Sequence, residues 1–179
     1  MNTEAAVETA AEATVATDLG ARLAGKYMTF QLAREEYGLE ILKVREIIGL
    51  MEITRVPRTR EFVRGVINLR GKVIPVMDLR MRFGMERAED TAETCIIVVE
   101  VMHQDRSLLI GTLVDSVSEV RDIAQSNIEE TPEFGTDVDT AFILGMGKSQ
   151  EKVIILLDID RVISFEELAQ IESSVAKEE

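Results

Sequence analysis

The chain of 179 residues carries 20 Lys and Arg against 33 Asp and Glu, a formal charge of −13 with a pI near 4.6, which argues against a nucleic-acid partner, since that needs a basic surface. With 46% hydrophobic residues and a mean hydropathy of +0.06 it is composed like a folded globular protein, and with 4% aromatics and no Trp its core is expected to be aliphatic, its Val and Ile clusters favouring strands. One cysteine, Cys95, excludes an internal disulfide or a multi-cysteine zinc site and fits a reducing compartment. No apolar run approaches the roughly 18 residues of a membrane helix, and no cationic segment leads into an apolar one at the N-terminus, so a cytoplasmic protein without membrane insertion is expected.

In chain order, residues 1–25 read as a disordered acidic tail: Glu4, Glu8, Glu12 and Asp18 face only Arg22, and little there can be buried. Alternation over 27–32 and again over 37–41 predicts a hairpin with its turn at Glu35–Gly38. Further strands are predicted at 72–79, 94–101, 107–115, 117–123 and 152–159; Pro75 cannot donate to a ladder, which predicts an edge or a bulge for its strand. At the end, Ser164 and Glu167 have capping-box spacing and Phe165, Leu168, Ile171 and Val175 recur at helical intervals, predicting a C-terminal helix over 164–176.

An internal repeat organises these elements. Gly38 to Glu46 aligns with Gly111 to Glu119, setting Ile41 over Val114, Val44 over Val117 and Ile47 over Val120; Gly65 to Asp78 aligns with Gly145 to Asp158, each ending in an apolar run and an Asp. Two copies of a β unit of about 75 residues account for both offsets, and units this small abolish their edges by closing. The predicted fold is mostly β: two five-stranded barrels packed together, the first over about 26–87 and the second over about 88–160, with intertwining left open. Charge separates the copies: 26–87 carries 13 basic and 8 acidic residues, 88–165 carries 5 and 16. This suits either two unlike partners or attraction between the lobes.

No catalytic constellation completes itself. Gly147-Lys148-Ser149 resembles the end of a phosphate-binding loop, but Phe142 stands where that loop needs Gly, so a β-turn is expected there. Asp158 and Asp160 follow a strand as in aspartate-nucleophile phosphatases; only 17 residues follow Val162, too few for that fold, and the match of Asp158 with Asp78 makes it a strand-end residue. An acidic aspartate-dependent phosphatase remains the enzyme alternative. His103, the only histidine, reads as a hairpin-loop residue without metal partners, and Cys95 as a small buried hydrophobe. Asn68 and Arg70 fall in a loop bounded by Gly65 and Gly71, a surface feature of the kind that carries binding.

The segment from Arg64 to Arg80 (RGVINLRGKVIPVMDLR), with Val44-Arg45-Glu46-Ile47 upstream and Gly111, Val114-Asp115, Val117, Glu119-Val120 and Pro132-Glu133-Phe134 downstream, resembles the CheW-like domain family of bacterial chemotaxis coupling proteins, in order over about 26–165. The resemblance implies two SH3-like barrels and an adaptor that is not an enzyme and carries no cofactor, linking the cytoplasmic tips of methyl-accepting chemoreceptors to the regulatory domain of the histidine kinase CheA in membrane-associated arrays. It implies a receptor side made of Val44, Glu46, Arg70, Cys95 and Val120, and a kinase or ring contact at Phe134. Glu129 departs from the family, which often has a basic residue there.

Overall fold

The structure, a computed structural model, describes residues 19–133 and 140–162. Alternating and doubly apolar runs form eleven strands: β1 (Gly25–Leu32), β2 (Glu35–Glu40), β3 (Val44–Gly49), β4 (Val63–Leu69), β5 (Lys72–Asp78), β6 (Cys95–His103), β7 (Arg106–Val114), β8 (Ser116–Ile123), β9 (Ile128–Glu129), β10 (Ile143–Ser149) and β11 (Lys152–Leu157). Single-turn helices α1 (Leu79–Arg82) and α2 (Ile159–Val162) follow β5 and β11. One sheet runs β3-β6-β7-β5-β4 and the other β8-β1-β2-β11-β10-β9. These are the two SH3-like barrels, a middle barrel of β3 to β7 and a flanking barrel from the two ends of the chain.

The repeat is visible strand by strand. Hairpins β4–β5 and β10–β11 share one burial sequence, both bulge just before a glycine (Val63/Gly65 and Ile143/Gly145), and both turn on a residue with positive φ, Arg70 at 52° and Gln150 at 57°. Each closing Asp starts a helix: Asp78 Oδ1 accepts from Arg80 N at 3.0 Å, and Asp158 Oδ1 from Asp160 N at 3.2 Å. The copies are intertwined. The β1–β2 hairpin of the first copy pairs with β11 and β8 of the second, and the β6–β7 hairpin of the second pairs with β5 and β3 of the first. The barrels are therefore 44–114 and 25–40 with 116–157, not 26–87 and 88–160. Each exchange has one antiparallel seam, β3–β6 or β1–β8, and one parallel seam, Val76↔Gly111 or Leu156↔Gly38, and in each parallel seam a glycine lets the strands' side chains approach closely. A Cβ on Gly111 would lie 2.9 Å from Ile96 Cγ2, and one on Gly38 would lie 3.2 Å from Leu156 Cδ2.

Each barrel has its own aliphatic core, with Ile67, Ile74, Ile96 and Val98 in the middle barrel and Leu23, Ile123, Ile154 and Leu156 in the flanking one. A larger third core joins them, and it draws on the few aromatics: Phe30, Tyr37, Phe83 and Phe142 stack in a row at centroid spacings of 5.8, 5.8 and 4.8 Å. The expected aliphatic core thus holds inside the middle barrel; the flanking barrel adds the buried ring of Tyr27, and the aromatic row lies between the barrels. Two matched polar junctions lock the barrels. Asp115, between β7 and β8, accepts from Arg80 Nε of α1 at 2.7 Å and from Ala33 N of the β1–β2 turn at 2.8 Å. In the other copy Asp160 of α2 accepts from Lys43 Nζ, just before β3, at 2.8 Å and from Met102 N near the β6–β7 turn at 3.1 Å. The carboxylate sits on the crossing segment in one junction and on the helix in the other.

Several expectations change. Residues 19–23 form a helical turn instead of tail: Leu23 is buried in the flanking core and its carbonyl accepts from Tyr27 Oη at 2.6 Å. The first hairpin turns at 33–34, with Ala33 at φ 55°, and Glu35 to Gly38 belong to β2. Pro75 lies in an interior strand: β4 turns the N–H and C=O of its partner Val66 away to Thr54, and the β7 ladder starts only at Val76, so the position demands no donor. Gly147 to Ser149 end β10, and the turn follows them. The charge contrast belongs to the copies and weakens between the barrels, because 44–114 has 11 basic and 10 acidic residues while the flanking barrel's strands and loops have 5 and 11. The expected helix over 164–176 and the tail before residue 19 lie outside the described residues.

Candidate docking site

The mouth of the middle barrel is built by β3, the β4–β5 turn and the β6–β7 hairpin. A bulge between Val44 and Glu46 brings Arg45 and Glu46 together to this mouth, where they line a groove with Arg70, Lys72, Glu100 and an apolar floor that includes Ile74 and Val98. Arg45 pairs with Glu100, and Arg70 grips Glu46 in a forked ion pair, with Nη1 3.3 Å from Oε2 and Nη2 on Oε1. That hydrogen bond, followed by the Glu46 charge, raises the Arg70 pKa above its ordinary value. The Arg70 side chain is 72% exposed. The predicted loop over 65–71 is a two-residue turn: Gly65 and Asn68 are strand residues, and Asn68 Oδ1 accepts from Gly71 N at 2.8 Å, locking Arg70 (φ 52°) and Gly71 (φ 86°) into the left-handed pair that a tight hairpin needs.

The remaining predicted residues sit elsewhere. Val44 and Cys95 are half-buried against the core between the barrels, at opposite ends of the β3–β6 ladder, about 13 Å apart by strand spacing. The Cys95 thiol donates to Glu93 O at 3.2 Å. Val120, 47% exposed on β8, is on the flanking barrel. Its counterpart in the repeat, Ile47 of β3, is 39% exposed; the alignment of Ile47 over Val120 contained that signal, which assigning Val120 alone left unused. Leu42 and Met102, 88% and 50% exposed beside the Asp160 junction, were also missed, because a lone apolar residue in a loop or hairpin carries no sequence mark. Phe134 lies outside the described residues.

The repeat separates the two barrel mouths chemically. The second copy has Glu119 for Glu46 but Gln150 for Arg70, and Glu119 pairs with Arg121 at 3.1 Å instead. Glu129 pairs with Lys148 at 2.7 Å, so its departure in charge is met within the chain. Asp158 faces Arg161 at 3.5 Å while Asp160 serves Lys43 and Met102; both carboxylates of the phosphatase-like run are engaged in structural contacts. His103 ends β6 beside its turn. Among the described residues no group of three or more His, Cys, Asp or Glu is placed to hold a metal ion, and no helix is long and apolar enough to cross a membrane.

A family model described as the CheW-like domain matches residues 26–167. The chain belongs to the CheW-like domain family. It is 36% identical over 165 residues to the chemotaxis protein CheW of Klebsiella aerogenes, covering 92% of this chain and 96% of that one. It is 34% identical over 142 residues to that of Bacillus subtilis, covering 79% and 88%. Among solved structures it matches the scaffolding protein TtCheW of Thermoanaerobacter tengcongensis with a TM-score of 0.70 and 39% identity, over 81% of this chain and 96% of that one. The CheW-like match spans both barrels and includes the Glu46 and Arg70 segments.

Proposed function

We propose that the chain is a non-catalytic chemotaxis adaptor that couples the cytoplasmic tips of methyl-accepting chemoreceptors to the regulatory domain of the histidine kinase CheA, and is recruited from the cytoplasm to membrane-associated receptor arrays. Membership of the CheW-like family is the observation that carries this reading, and the exposed Glu46–Arg70 pair supports it as a charged surface feature open to a partner. An amphipathic receptor hairpin offers apolar side chains to Val44, Cys95 and Val120 along the barrels, and charges to a pair already preorganised at the rim. A forked Glu–Arg pair on a rigid turn can exchange one partner for another with little loss of side-chain freedom, which suits specific but reversible docking. The kinase contact is assigned to the surface around Phe134.

The test is Arg70→Ala. An exposed ion pair adds little to folding, so the melting transition and kinase-domain binding should be retained. Receptor-dependent kinase activation should fall strongly, because a desolvated central contact in an interface costs thirtyfold or so in affinity, about 2 kcal/mol. Unfolding of the variant would make the pair structural, and unaltered coupling would remove the site. Phosphatase turnover with Mg²⁺ that vanished in Asp158→Asn would overturn the adaptor reading itself.

A further inference from the structure

A second surface of the middle barrel is arginine-rich and separate from the Glu46–Arg70 mouth. The chain between β3 and β4 folds over α1 and the linker behind it, leaving two adjoining concavities that share Arg55, Glu61, Val63 and Arg64; Arg87 closes one of them and Arg58 the other. Arg64 is committed, lying 3.2 Å from Asp90 and 3.5 Å from Asp78 with its side chain 15% exposed. Arg55, Arg58 and Arg87 are exposed and make no ion pair with another described residue, while Glu61 is the one acid lining both concavities. Ile53, Met81 and Val56 give the surface an apolar component.

Arg58 carries a second mark. Among the described residues, six other than glycine have positive φ; five of them lie in the two-residue turns of β-hairpins, where that conformation is required. The sixth is Arg58, at φ 63° in a turn after Pro57 that favours Gly or Asn. An arginine there carries a backbone cost that glycine would not, and outliers of this kind cluster at binding sites.

We propose that Arg55, Arg58 and Arg87 form a docking surface for a short acidic, partly apolar segment of a partner protein. The overall charge selects this class over larger polyanions. A duplex or an anionic bilayer would also meet the acidic flanking barrel and be repelled. A short segment senses charges within about one Debye length, roughly 10 Å at 0.1 M salt; the segments that form this surface, 51–64 and 79–90, carry seven basic residues against five acidic ones, Glu52, Glu61, Glu86, Glu89 and Asp90.

The experiment titrates the full chain into a fluorescein-labelled (Glu-Glu-Leu)4 peptide at low salt and reads anisotropy. Saturable binding that weakens as NaCl rises is expected. Arg58→Glu and the double variant Arg55→Glu/Arg87→Glu should each weaken it by about fivefold or more, whereas Arg34→Glu, the same charge change on an exposed turn of the other barrel, should stay within about twofold. Arg58→Gly relieves the backbone while removing the charge, so it should bind more weakly yet melt no lower than the parent. Equal loss in Arg58→Glu and Arg34→Glu would reduce the effect to net charge and overturn the proposal. So would absence of saturation, or equally tight binding of phosphatidylglycerol vesicles or duplex DNA. None of these readouts involves receptor or kinase, so they stand or fall apart from the adaptor reading.

Discussion

Gly65→Ala should be far more damaging than the same change at its counterpart in the repeat, Gly145, although both follow a bulge in equivalent strands. Gly65 has φ +141°, and a Cβ there would sit 2.0 Å from Thr54 O and 2.7 Å from the Thr54 carbonyl carbon. The obstacle is backbone and cannot rotate away. It is also the backbone that closes β4, since Thr54 N donates to Val66 O at 2.9 Å and Val66 N to Thr54 O at 2.8 Å. Forcing a side chain into that conformation costs about 1–3 kcal/mol. Losing the two bridge bonds adds about 0.5–1.5 kcal/mol each. The sum, about 2–6 kcal/mol, is a large share of the roughly 5–15 kcal/mol that holds a domain, and for a chain of this size corresponds to a melting temperature lower by about 4–24 °C. At Gly145 no positive φ is required, and the nearest atoms to a Cβ are Glu129 O at 3.0 Å and Leu23 Cδ1 at 3.3 Å, which can move by a few tenths of an ångström for about 1 kcal/mol. Thermal melts and urea titrations of the two variants decide it. If Gly65→Ala proved no worse than Gly145→Ala, the bridge at Thr54 would not be closing the middle barrel.

Burial alone would raise the Asp115 pKa, but the Arg80 hydrogen bond, the Ala33 amide and the Arg80 charge together lower it. Its contribution is therefore present above the ordinary carboxylate range and lost as pH falls through the lowered value, so Asp115→Asn should cost about 1 kcal/mol at pH 7 and progressively less below about pH 4 in urea titrations; a gap that widened on acidification would contradict this. Removing residues 1–18 should leave the melting temperature unchanged, whereas removing 1–24 also deletes buried Leu23 and the acceptor of Tyr27, at about 3 kcal/mol. Residues 1–87 and 88–179 expressed apart should each lack cooperative melting and recover it on mixing, because each barrel takes strands from both; independent melting of either half would refute the intertwined topology.

The sequence exposed this fold where side chains repeat and concealed it where the backbone decides. The Gly65–Asp78 and Gly145–Asp158 runs predicted matching hairpins, and the structure returned them down to the bulge and the capping carboxylate. Which hairpin pairs with which was not legible, since the parallel seams at Gly38 and Gly111 are compatible with either a tandem or an exchanged arrangement. β3, β4 and β10 were not predicted as strands because bulges at Arg45, Arg64 and Leu144 break their alternation. For the site, Arg70 was visible as a charged residue in a glycine-bounded stretch, but its partner face was not: Val44 and Glu46 are two residues apart, and a bulge that no composition signals sends one toward the core between the barrels and the other to the rim of the groove.

The exchange bears on how a message could cross such a small molecule. Each barrel is entered from the other by a crossing segment, and each crossing is pinned by a carboxylate: Asp160 on Lys43, immediately before Val44, and Asp115 itself, immediately before β8 and Val120's strand. β3 and β8 thus each begin within one to five residues of a half-buried ion-paired junction that ties them to the helix following β11 or β5 in the opposite half of the repeat. The junctions are alike in geometry but opposite in polarity, with the base on the crossing segment in one and on the helix in the other. Loss of charge at one is therefore not reproduced by the same substitution at the other, so the two junctions are not interchangeable. That asymmetry is what a duplicated fold needs if its copies are to face different partners, and it resides in four residues, Lys43, Asp160, Arg80 and Asp115, that touch neither proposed partner.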